Sequence, residues 1–159
     1  MTLRLLAVAA ATGRVGVVFL VGNRLMDWGV SDAAAKSREQ ATTWMQELID
    51  VLGPDVLVTE KIQAASRKGD AARDITEALA RVAADSALLN AEVVREQVYD
   101  NKYEEAEAIV RMYSDLAPWL QRRERFYDNE PRNTVLFEAM SLALSILRGP
   151  STKLAAAMG

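Results

Sequence analysis

The sequence predicts an α/β protein on a five-stranded mixed sheet, with a three-strand antiparallel meander joined to parallel strands and flanked by helices. Three observations carry that expectation. Strand-like runs follow one another through the turn signals Thr12-Gly13-Arg14 and Gly22-Asn23. Apolar residues then recur at one-face helical spacing from Ala41 to Leu52, up to the helix stop Gly53-Pro54. After that stop, Val56-Leu57-Val58 is short and apolar enough to be a strand buried on both faces, and it runs into a carboxylate at Glu60.

The elements follow in order. Leu3 to Ala11 reads as the first strand, Val15 to Val21 as a β-branched second, and Arg24 to Val30 as an alternating third. Ser37 with Gln40 resembles a capping box, and Ala41, Trp44, Met45, Leu48, Ile49 and Leu52 give the helix it opens an apolar face. The fourth strand, ending at Glu60, then joins the first in parallel through a right-handed crossover. Residues Gln63 to Asp70 form a polar, basic loop, with Asp70 as N-cap of a helix turning Ile75, Leu79, Val82 and Ala83 inward. Ala91 to Val98 reads as a fifth strand. Asn101 to Tyr113 is a helix with Tyr103, Ala106, Val110 and Tyr113 on one face, and Asp115 to Asp128 is irregular. The last helix runs from near Pro131 to Arg148.

Composition narrows the chemistry. The 159 residues suit one domain, placed at 1–150, with 151–159 a loose tail. A formal net charge of -3 confines any nucleic-acid site to a local basic patch. The absence of Cys and His removes thiolate and imidazole chemistry, so acid/base or metal work falls to carboxylates, Lys or Tyr. Carboxylate and water ligands suit hard ions such as Mg or Mn. No apolar run reaches membrane-spanning length, no signal-peptide pattern is present, and a cytoplasmic location is the expectation.

Two acids stand out. Glu60 ends the fourth strand, and ligands of open α/β sheets bind beyond the carboxyl ends of strands. Standing alone, it reads more readily as a solvated strand end or a partner of Lys61 or Arg67. The last helix is apolar around most of its circumference, with Glu130, Thr134, Glu138, Ser141 and Ser145 along one narrow polar stripe. Either the stripe is the solvent face, or Glu138 is buried and therefore paired or metal-bound. A third set is basic: Lys61, Arg67 and Lys68 follow the fourth strand, Lys102 precedes the third helix, and Arg122, Arg123 and Arg125 lie among Trp119, Phe126 and Tyr127. Such residues suit a phosphate backbone with stacked bases, and equally a solvated loop.

The order βββαβαβαα is the layout of the RNase H-like fold, and the chain resembles the RuvC family of Holliday-junction resolvases within that superfamily. The matching residues are Leu6-Ala-Val-Ala-Ala-Ala-Thr-Gly-Arg-Val-Gly16, Pro54-Asp-Val-Leu-Val-Thr-Glu60 and Phe137-Glu-Ala-Met-Ser-Leu-Ala-Leu144. The resemblance implies a single RNase H-like domain and a homodimer that binds branched DNA. It also implies a metal-dependent endonuclease in which carboxylates hold two Mg (or Mn) ions about 4 Å apart to hydrolyse a phosphodiester. Glu60 matches the fourth-strand ligand, and Glu138 matches the acid of the last helix, where Asp is usual. The departure lies at Ala9, where the family has the first-strand Asp that bridges both ions. One helical turn before Glu138 stands Thr134 or Val135 in place of an acid or histidine, with Glu130 and Asp27 as possible substitutes. The resemblance thus implies an endonuclease weakened or inactive through Ala9; the alternative is a catalytically dead scaffold or adaptor binding DNA, RNA or a protein.

Overall fold

The computed structural model describes residues 2–62, 68–86, 88–95, 102–120 and 133–148. The strands are β1 (Arg4–Ala11), β2 (Arg14–Val21), β3 (Arg24–Ser31), β4 (Val56–Glu60) and β5 (Leu89–Val93). The α-helices are α1 (Arg38–Leu52), α2 (Asp70–Asp85), α3 (Lys102–Met112) and α4 (Thr134–Arg148). The sheet order is β3-β2-β1-β4-β5. The first three strands pair antiparallel and β4 lies parallel to both β1 and β5, as the sequence predicts.

Local chemistry sets the boundaries. The Ser37 hydroxyl accepts from the Gln40 backbone N–H and opens α1. Gly53 closes α1 with φ of 58°, a left-handed conformation that glycine adopts without a Cβ penalty. Arg4 donates to the Gly53 carbonyl at 2.9 Å and also to the Leu52 carbonyl, setting a cation on the helix's negative end. Three differences from expectation bear on the site and its surroundings. The N-cap of α2 is Gly69, and Asp70 is its first helical residue, where a carboxylate favours the helix dipole. Strand β5 begins two residues early, at Leu89, and stops at Val93, where its partner β4 also ends. The described part of the stretch read as irregular contains a 3-10 turn over Ser114–Trp119. Pro131 and the tail 151–159 lie outside the described residues.

Both faces of the sheet are covered. Along β1, Leu5, Ala7 and Ala9 join the core under α4, while Leu6, Val8 and Ala10 join the core under α1 and α2. This alternation puts Ala9 on the α4 side. Opposite Ala9 in the β1–β2 register stands Gly16, and α4 rests directly on it. A Cβ built on Gly16 would lie 2.3 Å from the Val135 carbonyl oxygen, so only glycine admits the helix backbone this closely. Helix α4 is buried on nearly every side, which selects the buried reading of its polar stripe: Glu138 is 5% exposed and Thr134 is also buried.

Gly16→Ala must push α4 off the sheet or distort β2. It is expected to destabilise the fold by about 1–3 kcal/mol, read by urea denaturation, with loss of the near-ultraviolet aromatic signal if α4 detaches.

Candidate functional site at the carboxyl edge of the sheet

Three elements converge where β1 and β4 end. The last registered β1–β4 pair is Ala7–Val58, so Ala9 and Glu60 stand together two residues further on. Val56 and Val58 belong to the core under α4, and alternation turns Glu60 to the same side. Glu138 descends from α4 onto this edge. Lys68, two residues before α2, brings a cation into the middle of it.

The Lys68 ammonium donates to Glu60 Oε1 at 2.8 Å and to the Ala10 carbonyl at 2.9 Å, and it lies 3.3 Å from Glu138 Oε1. That last contact is an ion pair outside hydrogen-bond geometry. Lys68 is 14% exposed, Glu60 10% and Glu138 7% at the side chain, so the triad is largely shielded from solvent. The other Glu138 oxygen lies 3.4 Å from an Arg95 Nη, and the second Arg95 Nη lies 3.3 Å from Glu105 Oε1. Glu105 is buried on α3, near the Ser141 hydroxyl of α4. The result is a chain of alternating charge running Glu60–Lys68–Glu138–Arg95–Glu105. Burial pushes the Glu105 carboxyl above its ordinary value of 4.5, and the nearby Glu138 charge adds to that; Arg95 and Ser141 pull it back down.

Glu60 and Glu138 thus both contact one cation. That cation is an ammonium group. Lys68 was expected on a basic rim for phosphate; it is turned inward, because two shielded carboxylates without a counter-charge would be costly. The residues as placed do not fit a two-ion centre. Position 9 carries a methyl group, a lysine fills the gap between the two acids, and no group of three or more acids able to hold a metal occurs among the described residues. Asp27 offers no substitute: it lies on β3 opposite Phe19, exposed, with its carboxylate accepting from the Trp28 N–H. It lines a cleft with Trp44, Leu48 and Leu52 of α1, on the face of the sheet away from α4. Glu130, Arg67, Arg122, Arg123 and Arg125 lie outside the described residues. Lys102 opens α3, and Lys61 is exposed just beyond β4, its backbone N–H donating to the Val93 carbonyl.

Sequence reasoning missed Arg95 and Glu105. The inward face of α3 centres on Glu105, Ala106 and Ile109, with Tyr103 and Val110 only partly buried. The signal for Glu105 was its i+4 spacing to Ile109, an acid in register with an apolar face.

Removing Lys68 leaves two carboxylates facing each other. Lys68→Met is expected to cost about 3 kcal/mol in urea denaturation at neutral pH, while Glu60→Gln costs less because Glu138 and the Ala10 carbonyl still hold the ammonium. Glu105 has a raised folded-state pKa, so its contribution to stability is full in acid and is lost as pH rises through that value. As pH rises above the ordinary carboxylate value of 4.5, the stability of the parent is therefore expected to fall relative to that of Glu105→Gln, measured by denaturation at each pH.

Sequence comparison finds no relative: no protein-family model and no curated protein matches the chain. Structural comparison does find similar folds. Thermus thermophilus RuvC aligns with a TM-score of 0.60 at 11% identity, over 90% of this chain and 92% of that one. The yeast mitochondrial Holliday junction resolvase Ydc2 aligns with a TM-score of 0.59 at 12% identity, over 97% of this chain and 81% of that one. The Fowlpox virus resolvase, solved with its substrate Holliday junction DNA, gives 0.56 at 11% identity, over 92% and 97%. The five-stranded mixed sheet in the order β3-β2-β1-β4-β5, with its flanking helices, agrees with this likeness, and the chain has the RuvC-like, RNase H-type fold of the Holliday-junction resolvases.

Proposed function

We propose that this protein binds branched DNA at the carboxyl edge of its sheet and does not hydrolyse it. The observation that carries the second half is the Lys68 ammonium between Glu60 and Glu138. Two-ion hydrolysis needs close carboxylates holding two divalent ions against the scissile phosphate. At this edge an ammonium group lies between the two acids, and the first-strand position is Ala9.

The binding half is supported by the fold, which is shared with resolvases solved on Holliday junction DNA. It is also supported by the exposed Lys61 beside the edge and by the sequence positions of Arg67, Lys102, Arg122, Arg123 and Arg125. The buried chain of three carboxylates and two cations is not itself attractive to phosphate, so the backbone contacts belong to the surrounding rim. A homodimer presenting two such edges to the arms of a junction completes the reading.

The endonuclease alternative has one observation in its favour: Glu60 and Glu138 already share one cation position. It requires Lys68 to leave and Mg or Mn to enter, with Glu130 as a further ligand.

A labelled four-way junction separates the two. The expected result is binding tighter than to duplex of the same sequence, weakening with salt, and no cleavage at millimolar Mg or Mn. Lys61→Ala is expected to weaken binding and to lower the salt slope by about 1. Cleavage that disappears in Glu60→Gln would restore the nuclease reading, and equal affinity for junction and duplex would remove the preference for branched DNA. Sedimentation of the free protein reads the dimer.

A further inference from the structure

We propose that Lys68 is a built-in cation occupying the place of a divalent ion, and that shortening its side chain uncovers a latent site for a hard divalent cation. Among the described residues, three oxygens face the ammonium nitrogen: Glu60 Oε1 at 2.8 Å, the Ala10 carbonyl at 2.9 Å and Glu138 Oε1 at 3.3 Å. Two carboxylates and a carbonyl are the donor set that hard cations take, with water completing the shell. They come from three separate elements, β1, β4 and α4, so the positive charge holds the edge closed as a bridging ion would. The Arg95 guanidinium on the far oxygen of Glu138 fixes that carboxylate's orientation from behind, the role an outer partner plays for a metal ligand.

The parent protein should exclude ions from this position. The ammonium is tethered by its own backbone beside the start of α2, which makes its effective concentration far higher than that of a millimolar solute. A metal entering the parent would have to expel it and leave a buried ammonium without its carboxylates. With Lys68→Ala the tether and charge vanish while the three oxygens remain. Mn2+ and Ca2+ hold their ligands at roughly 2.2–2.6 Å, so the Glu60 and Ala10 oxygens would draw in by about 0.2–0.7 Å and the Glu138 oxygen by about 0.7–1.1 Å.

The inference shares with the proposed function the premise that Lys68 holds both acids. Its test uses Mn2+ without DNA, so failure of ion exclusion and failure of junction binding are separate results. Mn2+ binding is read from the loss of its free paramagnetic resonance signal, alongside thermal denaturation in EDTA and in millimolar Mn2+. The full chain is expected to bind no Mn2+ through Glu60 and to melt at the same temperature in both. Lys68→Ala is expected to melt lower in EDTA, to bind one ion per chain, and to regain roughly 3 °C or more in Mn2+. Both gains should vanish in Lys68→Ala/Glu60→Gln. If Lys68→Ala is unfolded in EDTA, it should fold when Mn2+ is added. Mn2+ binding by the parent that is lost in Glu60→Gln would overturn the proposal, as would a Lys68→Ala protein that neither binds Mn2+ nor gains stability from it.

Discussion

Two carboxylates shielded at the same sheet edge repel each other, and the chain resolves this by setting the Lys68 ammonium between Glu60 and Glu138. Everything at the edge is arranged around that nitrogen. It ties the end of β1 to the end of β4 through the Ala10 carbonyl, and it ties both to α4. Arg95 then extends the alternation of charge across α4 to Glu105 on α3. No member of this chain is stable alone at its depth, because a shielded charge without its counter-charge is far costlier than the pair. The network therefore fixes the relative position of three elements more than it adds net stability.

The steric counterpart of the charge network is the seat of α4. Ala9 and Gly16, side by side on neighbouring strands, leave a shallow platform on which the backbone at Val135 rests. That close approach lowers Glu138 to the level of the strand ends. It also gives Ala9 a packing role: at 2% exposure, its methyl group fills space under the helix. An acid at this position would add a third carboxylate to a cluster whose positive charge is already shared, so Ala9 and Lys68 suit each other chemically.

Much of the fold is legible in the sequence because it rests on local signals. Turn residues at Gly13 and Gly22, the Ser37 cap, the Gly53 stop and the apolar alternation of the strands each act over a few residues, and their order specifies the meander and the crossover. The candidate site is legible in half. Glu60 and Glu138 could be found because strand ends and a polar stripe on an apolar helix are visible in the linear pattern. The partners of these acids could not, because a long flexible side chain such as that of Lys68 or Arg95 shows in sequence only its charge. Whether the ammonium points to solvent or to a carboxylate depends on tertiary contacts, here between residues 8 positions apart for Glu60 and 70 apart for Glu138. Lysine in a polar loop is usually solvated, and that general tendency misplaces this one.

The all-round apolarity of α4 also bears on how the protein is made. This helix supplies the cover for Leu5, Ala7, Val18, Leu20, Val56 and Val58, yet it follows all five strands in the chain. During synthesis the sheet can assemble and α1 and α2 can dock on one face while the other face still lacks its main cover. A segment as apolar as Val135 to Ile146 has little reason to remain in water on its own, and a nascent chain halted before it exposes a broad sticky surface. Completion of the core and closure of the Glu60–Lys68–Glu138 edge both require α4, so that a chain interrupted upstream of it has no assembled edge.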